Sequence, residues 1–174
     1  MNKNIIALAI LAGSAVGSVA QAADGTINFT GTITDTACTV STATKNQTVP
    51  LGTVSRTAFA AAGDTAAPTK FSIVLQNCPT TVSNANIRFD GPIDSANSNL
   101  LALTAGTGIA TGVGVGIYEQ DAHTLIPIAT PSATKALSST VDTQFDFIAK
   151  YVSTSATVTQ GPANAATNFT ISYQ

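Results

Sequence analysis

The last fourteen residues, Gly161 through Gln174, constrain the fold more than any other stretch. Phe169, Ile171 and Tyr173 alternate with Asn168, Thr170 and Ser172. A period of two puts the three large apolar groups on one face of a strand. Such a segment reads as an ordinary last strand of a β-sandwich, and a terminal strand frays unless it is docked in a sheet. The same period recurs upstream. Gly25, Ile27, Phe29, Gly31 and Ile33 fall on one face of a stretch running to Val40, with Thr26, Asn28, Thr30, Thr32 and Thr34 on the other. Phe71, Ile73 and Leu75 alternate with Ser72, Val74 and Gln76, and Asn77-Cys78-Pro79 ends that run. Ile87–Phe89 precedes Asp90-Gly91-Pro92, a strong breaker. Val113, Val115 and Ile117 alternate with Gly112, Gly114 and Gly116, and Phe145, Phe147, Ala149 and Tyr151 form a further apolar face. Val49–Leu51 reads as a brief strand. No long segment holds a helical period, and the Ala-rich stretch Ser55–Gly63 is expected to give one short helical turn. Ala105–Gly112 and Thr130–Thr140 read as loops. About seven short strands separated by turns point to an all-β, immunoglobulin-like sandwich.

Residues 1–22 read as a secretory signal peptide. Lys3 supplies the positive start, Ile5 to Leu11 the apolar run, and Ala20-Gln21-Ala22 the small-x-small cleavage pattern. Cleavage after Ala23 is a close alternative. The apolar run is too short for a membrane span, which needs about 20 residues. The expected mature chain of 152 residues (174 minus 22) is one domain, long enough to bury a core, with no membrane insertion.

Charged residues make up only 9% of the chain and the net charge is −2, so no basic patch exists to neutralise phosphates and nucleic acid is not an expected partner. A charge-poor surface repels copies of itself weakly, which favours association. Catalytic constellations are missing. His123 is the only histidine, no G-x-S-x-G motif accompanies it, and Asp121 lies close to it in sequence. In the polar stretch Glu119–Thr124 it reads as a surface loop residue. The glycines of Gly112–Gly116 read as a strand with one small face that another backbone approaches closely, not as a phosphate loop. One histidine cannot supply the metal ligands of a copper/zinc superoxide dismutase, a secreted sandwich of similar size, and Asp and Glu would hold a metal only at a weak surface site. The expectation is therefore no catalytic residue, no metal site and no cofactor. Cys38 and Cys78, in an exported chain, read by default as one disulfide closing a loop of about 40 residues, worth about 4 kcal/mol in the chain-entropy model.

The terminus, with a glycine fourteenth from the end, an alternating apolar strand and a penultimate tyrosine, resembles the C-terminal signature of chaperone–usher pilins, the subunits of type 1-like fimbriae on Gram-negative bacteria. The cysteine spacing, the alternating N-terminal extension and Asn99-Leu-Leu-Ala-Leu103 resemble the same family. The resemblance implies an incomplete sandwich, six strands of its own with the seventh supplied in trans by donor-strand complementation. It implies a disulfide tying two neighbouring strands near the start of the domain. It also implies a donor extension over residues 23–34, with Ala23, Gly25, Ile27, Phe29 and Gly31 on the inserting face, and a pilin domain over 35–174. Gly161, Phe169, Ile171, Tyr173 and Gln174 would form the edge presented to a periplasmic chaperone. The implied partners are that chaperone, an outer-membrane usher and neighbouring pilins. The implied role is a structural fimbrial subunit contributing to cell adhesion. The alternative is a minor adaptor or adhesive subunit that binds a host glycan or surface receptor. Only Ala23 and Asp24 precede Gly25, a short extension of the kind also found in minor subunits. The segment Gly25–Ile33 equally reads as the first strand of the chain's own sandwich.

Overall fold

A computed structural model describes residues 25–31, 33 and 37–174. The expected signal peptide, Ala23 and Asp24 lie outside the described residues. The chain divides into two compact units, 1–33 and 34–174.

In the first unit, residues 25–31 and 33 belong to no strand. Among the described residues of the stretch Gly25–Val40, only Thr39 and Val40 lie in a strand. Ile27, Phe29 and Ile33 are 80%, 92% and 100% exposed, although each is large and apolar. Period-two patterning fixes which side chains share a face, but a strand also needs a ladder partner for its N–H and C=O groups.

The second unit is two antiparallel sheets around one core. Its strands are β1 (Thr39–Val40), β2 (Thr65–Gln76), β3 (Asn84–Asp90), β4 (Val113–Glu119), β5 (Leu125–Ile126), β6 (Lys135–Ala136), β7 (Thr143–Ser153) and β8 (Asn168–Tyr173). One sheet has the order β1-β2-β7-β4-β5 and the other β6-β3-β8. The one-turn helix α1 (Thr42–Lys45) was not legible from periodicity, whereas the 3-10 turn Arg56–Ala58 falls in the expected stretch. Residues 49–51 form no strand, yet Val49 and Leu51 pack against the core. The stretch 130–140 is mostly loop but holds β6.

β2 is longer than its alternating core suggests, because it continues through a bulge. The register against β7 shifts between Ala66 and Thr69, and Ala67 has a φ of 53°. Pro68 at that point has no N–H to give, and a bulge is where a strand tolerates proline. Beyond it, Phe71, Ile73 and Leu75 face inward and meet Phe145 and Phe147 of β7 and Ile87 and Phe89 of β3. Phe71, Phe89 and Phe147 pack mutually with ring centroids 5.1–6.0 Å apart, within the favourable range for aromatic pairs.

β4 is buried on both faces. Val115 and Ile117 enter the main core, while Leu100 and Leu101 cover its glycine side. Leu101 exchanges both backbone hydrogen bonds with Val115, at 2.9 and 3.0 Å. A Cβ on Gly114 would sit 2.9 Å from the Leu101 carbonyl oxygen, so the close backbone approach read from the sequence is present. Leu101 joins the main core and Leu100 joins Tyr118 and Val152 on the other side. On the outer face of β2 and β7, Asp146 pairs with Lys70 at 3.3 Å and accepts from Ser72 and Gln144. Burial pushes its carboxyl up, but the Gln144 and Ser72 hydrogen bonds and Lys70 outweigh that and hold it below the ordinary range.

Candidate functional site, an open apolar groove beside the last strand

β8 pairs with β3 along one edge, Asn168 with Asp90 through Tyr173 with Ala85. Its other edge has no strand beside it among the described residues. The hydrogen-bond parity shows what that edge offers. Gln174 and Asn84 exchange bonds, the Gln174 N–H donating to Asn84 O at 2.8 Å and the Asn84 N–H to Gln174 O at 3.0 Å. In an antiparallel ladder, bonded and non-bonded pairs alternate, so the residues bonded to β3 are Asn168, Thr170 and Ser172. The main-chain groups of Ile87 and Phe89 agree, since they engage Ser132 and Ala129 on the opposite side of β3. The N–H and C=O groups of Phe169, Ile171 and Tyr173 therefore point to the open edge. Their side chains are the half-buried, inward ones, and those of Asn168, Thr170 and Ser172 are exposed.

Between this edge and residues 46–52 lies a groove of about 1090 Å³. Phe71, Ile73, Phe89, Val115 and Ile117 form its floor; Phe169 and Ile171 line one side, Val49 and Leu51 the other. Residues 163–167 close one end, held by the Tyr151 hydroxyl donating to Ala163 O at 3.0 Å and the Thr104 N–H to Asn164 O at 2.7 Å. At the other end the Tyr173 hydroxyl reaches Cys38 O at 3.4 Å, and burial pushes its phenol up. The chain there is stapled. Cys38, just before β1, and Cys78, just after β2, form a disulfide with Cα atoms 4.1 Å apart, and β1 and β2 are neighbours. The strand that this groove lacks would take main-chain bonds from β8 and place alternate apolar side chains on the floor. Most of the floor is buried, with Ile73, Phe89 and Ile117 at 1–2% exposed, so the unfilled groove offers the half-buried Phe71, Phe169 and Ile171 beside a free edge, where a further strand can add.

Of the residues singled out in the sequence, Phe169 and Ile171 line the groove, and Tyr173 follows on the same face of β8 with Gln174 continuing the ladder. Gly161 lies away from the ladder; its φ is 154°, and a Cβ there would run into the backbone of residues 108–110. Ile27 and Phe29 are exposed, as above. The floor residues Phe71 and Phe89 and the wall residues Val49 and Leu51 were read only as strand residues; nothing local distinguishes a core position from a groove position. His123 is exposed in the turn joining β4 and β5. Asp121 there accepts from the Thr124 hydroxyl and from the Thr124 and His123 backbone N–H groups, which lower its carboxyl to about 2. It holds the turn through the main chain and not through the imidazole.

A one-stranded gap in an immunoglobulin-like sandwich defines the class of pilin domains, and the comparisons agree. The family model for fimbrial proteins matches residues 27–174. The long polar fimbria protein A of Salmonella typhimurium is 39% identical over 100% of this chain and 98% of its own. The type I fimbria protein and antigen of Burkholderia pseudomallei is 43% identical, with a TM-score of 0.62 over 86% of this chain and 97% of that one. The P pilus rod subunit PapA shares the fold at 22% identity, TM-score 0.67, over 80% of this chain and 100% of its own. The chain belongs to the fimbrial protein family and is a subunit of surface fimbriae.

Proposed function

We propose that the chain polymerises by donor-strand complementation, residues 23–34 of one copy filling the β8 groove of another. The observation that carries this is the conjunction of an unpaired β8 edge over an apolar floor with an exposed segment that carries Ile27 and Phe29 on one face. Backbone bonds to Phe169, Ile171 and Tyr173 supply sequence-independent affinity, and the alternate side chains fix register. Burying Ile27 and Phe29 contributes roughly 1.5–3 kcal/mol each. Ala23, Gly25 and Gly31 are the smaller members of the same face. A strand that completes a neighbour links copies head to tail, and such heterologous contacts propagate into open fibres. On this reading residues 1–22 direct export and the domain from residue 35 is the receiving unit. A periplasmic chaperone covers the groove until an usher passes the subunit on, and the role is structural and adhesive, without catalysis.

The face assignment is the test. Phe29→Asp places an unpaired carboxylate on the apolar floor at a cost of several kcal/mol. The yield of sheared surface fibres should fall to background. Thr30→Asp lies on the opposite face and should leave the yield within about twofold, as for ordinary surface changes. Equal yields from the two variants would overturn the donor assignment. For the chaperone step, Tyr173→Ser removes a large inward side chain from the edge that would be captured. The variant should be degraded in the periplasm, and normal co-purification with the chaperone would contradict this role.

A further inference from the structure

Among the described residues, five large apolar side chains are more than half exposed: Ile27, Phe29 and Ile33 in the first unit, and Ile93 and Val141 in the second. The donor reading accounts for the first three. Of the other two, Val141 is the more exposed, at 68%. A single exposed valine is ordinary on a protein surface. Its place is what gives this one a meaning. It stands in the turn between β6 and β7, and that turn is braced. The Ser138 hydroxyl accepts from the Thr140 and Val141 N–H groups at 3.3 and 3.2 Å, and the Ser138 N–H donates to the Thr143 hydroxyl at 3.2 Å. The Gln76 side chain donates to the Asp142 carboxylate at 2.7 Å. Thr143 pairs with Leu75, and Gln76 with Thr39. The turn therefore stands at the disulfide end of the domain, two strand spacings, or about 10 Å, from β1. Residues 76–87 and 136–141 carry no charged side chain, so covering this end strips few ions of their water.

We infer that Val141 seats on the next copy in the fibre, beside the groove that its own donor segment has entered, and that this second contact stiffens the joint. The inference rests on the donor reading above. Four residues separate Ile33 from Cys38. Five steps of extended chain reach at most about 18 Å. With Ile33 held in a neighbour's groove, the disulfide end of the domain stays within that distance of it, and Val141 comes with it. A short linker fixes proximity but leaves the angle between two bodies free. A second contact removes that freedom if it lies off the axis of the tether. The offset of Val141 from β1 supplies the lever arm, and the braced turn keeps the tip from yielding.

A benzophenone-bearing residue in place of Val141 reads the contact, since on irradiation it inserts into C–H bonds within reach. Intact fibres should give a ladder of denaturation-resistant multimers. The mass-mapped links should join position 141 to residues 46–52 or 163–174 of another copy, which flank the groove. Val141→Asp tests the stiffening without a bulky probe. The position is exposed and lies outside both donor segment and groove, so the yield of sheared fibres should stay within about twofold of the parent. The persistence length measured on electron micrographs should fall about twofold or more. Val141→Ile should keep the parental value. Links confined to single chains, links to other parts of the neighbour, or a missing ladder would overturn the contact and leave the donor reading intact. Val141→Asp fibres as stiff as the parent would do the same. Assembly indifferent to Phe29→Asp would overturn both.

Discussion

Gly161→Ala is expected to be among the most damaging single substitutions in the second unit, although it adds one methyl group. The new Cβ would lie 2.5 Å from the Ala110 nitrogen and 2.6 Å from the Ile109 carbonyl carbon, and closer still to the Gly108 oxygen. These are backbone atoms and cannot swing aside. The φ of 154° is itself one that side-chain-bearing residues rarely adopt. Strain and overpacking together should cost about 3–5 kcal/mol. For a domain of this size that lowers the melting midpoint by roughly 10 °C or more. The strand most affected is β8, because residues 162–167 lead from this crossing into it and wall the end of the groove. Gly106→Ala is the control. Its nearest neighbour is an isoleucine methyl at 3.4 Å and its φ is not in the left-handed region, so it should be nearly neutral. Thermal unfolding of the two variants side by side checks the argument, and equal midpoints would refute it.

The second large effect is expected at the disulfide. Cys38→Ser opens a loop of 40 residues, which in the chain-entropy account lowers stability by about 4 kcal/mol. The local consequence adds to it. Cys38 and Cys78 are both buried, and the Cys38 carbonyl accepts the Tyr173 hydroxyl that anchors the end of β8. Loosening residues 37–40 therefore releases β1 from β2 and frays the receiving edge. The urea midpoint of Cys38→Ser, compared with the oxidised parent, measures the loss, and exported protein should show no alkylatable thiol. A midpoint unchanged within error would show that the staple is dispensable.

Much of this was legible in the sequence, for a physical reason that differs by element. β8, β7 and the inner half of β2 announce themselves because one face is buried and the other wet, which writes a period of two. β4 was legible as a strand through its valines, and its glycines signalled the approach of another backbone, though not that it would be Leu101's. β5, β6 and α1 were not, because two to four residues are too few to carry a period. Gly161 stood out only as part of a family signature. Its cause is a crossing with residues 108–110, some fifty positions earlier, which no local pattern records. The groove floor was invisible for a related reason. Phe71 and Phe89 look like any inward residues; they become a site only because the strand that would cover them is missing.

The shortage of ion pairs has a consequence for where such a filament can work. Among the described residues only Lys70–Asp146 and Arg88–Asp90 form salt bridges, and no buried side-chain nitrogen or oxygen lacks a partner. Cohesion therefore rests mainly on apolar contact and on hydrogen bonds, several of them accepted by carboxylates such as Asp64, Asp121 and Asp146, and pairs of opposite charge that salt would screen are few. Acidity has few handles as well. The stabilisation from Asp146, whose carboxyl is held low, is present above the ordinary aspartate range and fades as the pH falls through its lowered value. The folded subunit should therefore change little in stability between low and high salt, whereas acid withdraws the carboxylate acceptors of Asp121 and Asp146 as the pH falls through their lowered values.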